Sequence, residues 1–242
     1  MKALIFAAGR GERMRPLSDQ TPKPLLVAGG RMLIEWQIGG LVAAGLRELV
    51  INTAHHAALI EHRLGDGTRY GARIQYSREG GRAEDALETL GGIVHALPLL
   101  GPSSFVVVSG DIVTGFDYAG LRAPAAQIEV GQYDAHFVLV DNPPYHSQGD
   151  MGLEGSVATM REPRLTYGNI GVFATRLFAG ESAGRRALFP WAFALVEKQR
   201  VSAQRFGGRW YNVGTPQDLA ALNQELISNP LSSLPYKRSP SA

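Results

Sequence analysis

Gly9, Gly11, Arg10, Arg13, Arg15 and Lys23 crowd one short stretch of the chain, residues 4–26, which reads LIFAAGRGERMRPLSDQTPKPLL. Glycine leaves backbone N–H groups uncovered by a Cβ, and small concave arrays of such donors bind phosphate. Arg13 and Lys23 bring full positive charge to the same place. Pro16, Pro22 and Pro24 restrict the backbone around the lysine. The chemistry implied is capture of phosphate. A cradle of this kind needs a support, and the apolar run Ala3, Leu4, Ile5, Phe6, Ala7 just before it has the length of a strand.

A carboxylate answers this cationic loop from further along the chain. The β-branched run FVVVSG at 105–110 ends on Asp111. A strand that finishes in Gly-Asp sets the carboxylate at its tip, within reach of a phosphate-bound metal, although Ser-Gly-Asp is also good turn chemistry. The sequence has no cysteine, which removes disulfides and thiolate sites and leaves oxygen or imidazole ligands for any metal. Magnesium is the expected ion. His55, His56 and His146 read as structural or solvent-facing side chains rather than bases.

The elements that must position these groups follow from periodicity. Leu33, Ile34, Trp36, Gln37, Leu41 and Val42 recur at helical spacing, and Gly45 stops that helix before a strand over 48–52. A helix over 57–64, a glycine turn at 65–67 and a strand over 73–76 come next. The polar loop SREGGRAEDALETLGG at 77–92 runs into a helix that continues to Leu97. Strands are expected at 105–110 and 136–140, helical patterning over 185–199, and a strand at 201–206. Thr215 and Pro216 read as N-cap and first residue of a helix ending at Ile227. Alternation of this kind predicts an α/β fold with a mostly parallel mixed sheet flanked by helices, its ligands beyond the carboxyl ends of the strands. A single domain over 1–227 is expected, with a frayed Ser- and Pro-rich tail at 228–242.

Composition narrows the class. The 242 residues are 45% hydrophobic and 19% charged, ordinary for a globular protein, with a formal net charge of +2. Basic residues are scattered and lack the aromatic interleaving of a nucleic-acid platform, so no nucleic-acid partner is expected. Membrane-span and signal-peptide patterns are also missing from the sequence, and the expectation is a cytoplasmic protein.

Taken whole, A-A-G-x-G-x-R-M-R-P-L followed by P-K-P-L resembles the signature of the sugar-1-phosphate nucleotidyltransferases. The resemblance extends over about 1–227 and implies a three-layer Rossmann-like fold, with a nucleotide-binding half at about 1–115 and a sugar-binding half at about 116–227. It implies that Ala8, Gly9, Gly11, Glu12 and Arg13 hold the nucleotide phosphates and that Glu79, Glu88, Thr89 and Gly92 surround the base. Arg13, Lys23 and Asp111 become the catalytic set. The segment DNPPYHSQGDMGLEG and the later LTYGNIGVF at 165–173 resemble the branch that transfers uridylyl groups to N-acetylmuramate 1-phosphate, with Asn142, Gly149, Asp150 and Asn169 as sugar contacts.

Two departures stand out. Where many relatives carry Glu-Lys-Pro, the lysine gripping the sugar phosphate, this chain reads Arg161, Glu162, Pro163, Arg164; either arginine is a candidate substitute, with a planar fork in place of a point charge. Where relatives carry W-x-D-x-G-T-P, it has Asn212, which keeps a carbonyl for the second metal position and loses the charge.

The resemblance therefore implies a Mg²⁺-dependent enzyme whose partners are a nucleoside triphosphate and a sugar 1-phosphate. UTP and N-acetylmuramate 1-phosphate lead, in peptidoglycan recycling. Rivals are guanylyl, thymidylyl or uridylyl transfer to mannose, heptose or glucose 1-phosphate, and a non-catalytic nucleotide-sugar sensor on the same fold. Two anions must meet, so a cationic pocket is expected. Oligomeric state is left open.

Overall fold

The apolar run at the start of the chain forms β1 (Lys2–Phe6), and its side chains divide by parity: Ala3 and Ile5 enter one core, Leu4 another. Burial on both faces is what a continuous apolar run means for a central parallel strand. The structure, a computed structural model, describes residues 1–231. After β1 come a short hairpin of β2 (Val27–Ala28) and β3 (Arg31–Met32), α1 (Leu33–Ala43), β4 (Glu48–Thr53), α2 (Ala57–Leu64), β5 (Arg73–Arg78), α3 (Glu88–Leu100), β6 (Phe105–Ser109) and β7 (Ile112–Thr114). The chain continues through α4 (Arg122–Glu129), β8 (Ala135–Val140), β9 (Met151–Glu154), β10 (Val157–Thr159), β11 (Arg164–Phe173), α5 (Trp191–Glu197), β12 (Val201–Arg205), β13 (Trp210–Asn212) and α6 (Pro216–Ser228).

Among the described residues, nine strands share one sheet in the order β5-β4-β1-β6-β11-β8-β12-β10-β9. β5, β4, β1 and β6 are parallel, as are β8 and β12, while β11 runs antiparallel between β6 and β8. β10 is antiparallel to both its neighbours, so β11 and β10 are the strands that oppose the common direction. This is the expected α/β architecture with a mostly parallel mixed sheet.

Helices cover both faces. α1, α2 and α4 pack Ile34, Ile38, Leu41, Ile60, Leu64 and Ile128 on one side. α3 and α5 pack Leu90, Ile93, Val94, Ala192 and Val196 on the other. Each large aliphatic side chain so buried contributes about 1.5–3 kcal/mol relative to exposure. α1 is apolar nearly all round because a further layer lies outside it: Leu33 and Trp36 meet Leu222 and Leu226 of α6, with Met14, Val113 and Val213 between.

The helix expected over 185–199 is shorter, α5 alone. Residues 184–186 lie instead against the start of α3, where the Arg186 carbonyl accepts the Leu90 and Gly91 N–H groups and the Arg186 N–H donates to Leu87. Those helix-terminal donors have no partner inside α3, and satisfying them holds Arg186 out of a helix of its own. Pro190, which has no N–H to give, stands at the N-cap of α5. At α6 Thr215 caps as read from sequence, accepting from the Asp218 N–H, with Pro216 first in the helix. Ser228 closes α6, the Asn229 and Pro230 carbonyls accept from Arg209, and Leu231 packs on the third cluster. The rest of the tail expected over 228–242, residues 232–242, lies outside the described residues.

Candidate active site

A cleft of about 580 Å³ opens where β1, β4 and β6 end. Its first wall is the loop leaving β1. Gly11 stands at φ +64°, the left-handed region where a Cβ is disfavoured, and any Cβ there would come within 3.3 Å of the Lys23 and Ser18 side chains. Ser18 donates to the Gly11 carbonyl at 2.7 Å, and fully buried Met14 pins the turn Glu12–Met14 into the third core cluster. Pro22 and Pro24 flank Lys23, whose turn closes through Leu25 N–H to the Pro22 carbonyl. The loop is therefore held by its apolar and backbone contacts, which leaves Arg13 and Lys23 for the cleft.

The second wall is the end of β6. Gly110 donates to the Phe6 carbonyl at 2.9 Å, so closely that a Cβ would approach that oxygen to 2.7 Å. Asp111 follows and pairs with Lys23, Nζ to Oδ2, across 88 positions of sequence. β13 runs beside it: Val213 donates to the Asp111 carbonyl, and Asn212 pairs in register with Ile112. Asp111, in the turn just before β7, and Asn212, the last residue of β13, are thus neighbours, two oxygen donors of the kind a hard divalent cation accepts, although only Asp111 lines the cleft. Among the described residues no three histidine, aspartate or glutamate side chains gather as a metal site. These two residues fit a cation that takes its other ligands from phosphate and water.

The floor is a chain of hydrogen bonds. The Ala7 N–H donates to Asn52 Oδ1 at 2.7 Å, Asn52 Nδ2 donates to Glu79 Oε1 at 2.6 Å, and Glu79 Oε2 accepts from the Leu87 N–H at 2.7 Å. Burial pushes the Glu79 carboxyl above its ordinary range, against the pull of the Leu87 and Asn52 bonds. Gly92 lies directly beneath, where a Cβ would meet Glu79 Oε1 at 2.6 Å and Asn52 Nδ2 at 2.9 Å. Glu88 stands at φ +59° and accepts from Arg185 Nε at 3.0 Å. Gly91 admits this contact, because a Cβ there would come 2.0 Å from the Gly184 carbonyl.

The structure brings Ala8, Gly9, Gly11, Glu12, Arg13, Lys23, Glu79, Glu88, Thr89, Asp111 and Asn169 to the lining of this one cleft. Asn169, at φ +57°, sits in the irregular stretch where β11 changes register against β8. Asn142, Gly149, Asp150 and Asn212 fall outside the lining. Asn142 donates to the Ser147 and Arg164 carbonyls and accepts from Thr166, while Asp150 accepts from the Tyr167 N–H and contacts His146. Arg161 is paired with Glu154 and Arg164 with Glu162, so neither candidate substitute for the lysine lines the cleft. No histidine lines it either, among the described residues.

Asn52, Ser109, Tyr167 and Arg185 line the cleft and were not singled out from sequence. Asn52 had a legible signal, a polar residue at the end of an apolar strand. Arg185 had none, since its place depends on the docking of 184–186 onto α3. The expected cationic pocket is formally balanced: Arg10, Arg13, Lys23 and Arg185 face Glu12, Glu79, Glu88 and Asp111. Three of these cations are held by carboxylates, Arg10 by Glu12, Lys23 by Asp111 and Arg185 by Glu88.

A profile of the nucleotidyl transferase family matches residues 2–162, two-thirds of the chain, a span that holds the glycine loop, Lys23, Glu79 and Asp111. The chain belongs to that family. An N-acetylmuramate alpha-1-phosphate uridylyltransferase from Neisseria meningitidis is 44% identical over 220 residues, 89% of this chain and 94% of that protein. A protein of the same name from Caulobacter vibrioides is 32% identical over 241 residues, 93% and 96% of the two chains. In three dimensions this nucleotidyltransferase resembles the crystal structure of a chain assigned as a glucose-1-phosphate thymidylyltransferase from Bacillus anthracis. The TM-score is 0.78 over 98% of both chains at 19% identity, a likeness of fold.

Proposed function

We propose that the protein joins UTP to N-acetylmuramate 1-phosphate, giving the UDP-sugar and pyrophosphate, and that it serves peptidoglycan recycling in the cytoplasm. One observation carries this reading: glycine loop, Arg13, Lys23 and Asp111 converge on one cleft in a chain that matches a protein of that name across 89% of its length. An oxygen of the sugar phosphate attacks the α-phosphorus in line, the new P–O bond forms, and the bond to the β-phosphate breaks with its electron pair leaving on pyrophosphate. A phosphate monoester is already ionised near neutral pH, so no general base is needed. This agrees with a lining free of histidine among the described residues.

Each residue then has a task. Loop amides and Arg13 hold the β and γ phosphates, and Lys23 neutralises charge that grows on the α-phosphate. Arg185 supplies the cation for the sugar phosphate, the place that lysine fills in the resembled pattern. Asn169 contacts the sugar, and Thr89 and the Glu79 floor border the base. Asp111, assisted by Asn212, holds a divalent cation, Mg²⁺, which when bound supplies Lewis-acid charge to the nucleotide phosphates.

The test is pyrophosphate release across UTP, GTP and dTTP with N-acetylmuramate, glucose and mannose 1-phosphates, for the wild type and Lys23→Ala. The expected result is turnover with UTP and N-acetylmuramate 1-phosphate, reduced about 10²–10³-fold in the variant. Preference for another pair reassigns the substrate, and silence with every pair favours the sensor.

A further inference from the structure

Lys23 and Asp111 are given different partners in that reaction, the α-phosphate and the divalent cation, yet they hold each other. Of the three ion pairs in the cleft theirs is the most shielded. The side chains are 12% and 26% exposed, against 33% and 63% for Arg10–Glu12 and 54% and 42% for Arg185–Glu88. Shielding makes the attraction strong and little affected by salt. Lys23 is held at its base, flanked by Pro22 and Pro24 and with its Cβ beside Gly11, so a change of partner falls to the ammonium end of the side chain alone.

The ammonium therefore competes with a cation for one carboxylate, and two positive groups on it would repel each other at close range. We propose that Lys23 acts as a resident counter-cation on Asp111, so that capture of the divalent ion depends on the nucleotide. The α-phosphate offers the ammonium a new anionic partner; Lys23 moves to it, and the Asp111 carboxylate is released for metal. By linkage, the factor by which nucleotide raises metal affinity equals the factor by which metal raises nucleotide affinity. This rests on the reading that Asp111 ligates the metal and Lys23 meets the α-phosphate.

The experiment is titration of the purified full chain with Mn²⁺ alone, followed by the free-ion electron paramagnetic resonance signal, for the wild type, Lys23→Met and Lys23→Gln. Both variants are expected to bind Mn²⁺ about tenfold or more tightly than the wild type, within the range of ordinary coupling between sites. Adding Asp111→Asn to Lys23→Met is expected to abolish the gain. Equal affinity in wild type and variants overturns the proposal and leaves the reaction standing. A gain that survives Asp111→Asn overturns the placement of metal on Asp111, and the reading beneath it. The wild type provides an independent readout, because the chain has only four lysines, Lys2, Lys23, Lys198 and Lys237. In a ¹³Cε-lysine spectrum the Lys23 signal is expected to move with α,β-methylene-UTP in the absence of metal. An unmoved signal overturns the exchange.

Discussion

The two halves of the chain use their polar residues differently. In the first half, the residues singled out from sequence stand on or directly under one cleft, because four parallel strands end at one edge and their loops have nowhere else to converge. In the second half, Asn142 and Asp150 spend their side chains on their own loop and on β11, and Asn169 alone of the four expected sugar contacts lines the cleft. The difference lies in what satisfies the backbone. The glycine loop is pinned by Met14 and Ser18, which are not its expected ligands, whereas the loop after β8 is tied to β11 through the Asn142 and Asp150 side chains themselves. A polar residue in a motif can be a ligand or the brace of one, and composition does not separate them.

The contact at Gly91 joins the halves, and breaking it should have the largest effect. Gly91→Ala is expected to push residues 184–186 off α3, because the clash is with a backbone carbonyl 2.0 Å away rather than a flexible side chain. Displacing Arg185 by an ångström should lower kcat/KM by about a hundredfold. Steady-state kinetics check this, with circular dichroism to verify the helix. Unchanged kinetics would mean that Arg185 takes no part.

Acid should separate the halves next. His136 on β8 is buried against Ser202 and Gln204 of β12, and burial lowers its pKa to about 4. With an unfolded value of 6.5, the unfolded chain takes up a proton that the folded one refuses. Stability therefore falls as pH drops from about 6.5 to about 4 and levels off below, a loss on the order of 2 kcal/mol at pH 5. Hydrogen exchange should show β8 and β12 loosening over this window before β1 and β4, and His136→Gln should remove the share of the slope that His136 contributes. Parallel loosening of all four strands would show that the sheet opens as one unit.

The smallest expected effects separate ligand from brace. Asn169→Gly keeps the left-handed backbone while removing the side chain, and should raise KM for the sugar phosphate with UTP unaffected. Asn142→Ala should cost about 1 kcal/mol in denaturant unfolding through its lost hydrogen bonds. The opposite pattern would move the sugar contact to Asn142.

The sheet was legible because parity and β-branched runs report burial directly: β1, β4 and β6 are apolar on both faces. So was the phosphate loop, where glycine, arginine and proline occur at positions that backbone geometry demands. The short α5 was not, because the pattern over 185–199 is apolar enough for a helix while residues 184–186 are claimed by α3 from nearly a hundred positions earlier. Nor was the charge balance of the cleft, which depends on which carboxylates the fold sets beside which cations.

α1 is completed by α6, a helix far along the chain from it. Leu33 and Trp36 leave the ribosome well before Leu222 and Leu226, which cover them. Until α6 follows, the nascent chain carries an apolar helix face that α6 does not yet cover. Cutting the gene near its middle would leave that face bare for good, so the first half is no independent module, however complete its phosphate loop.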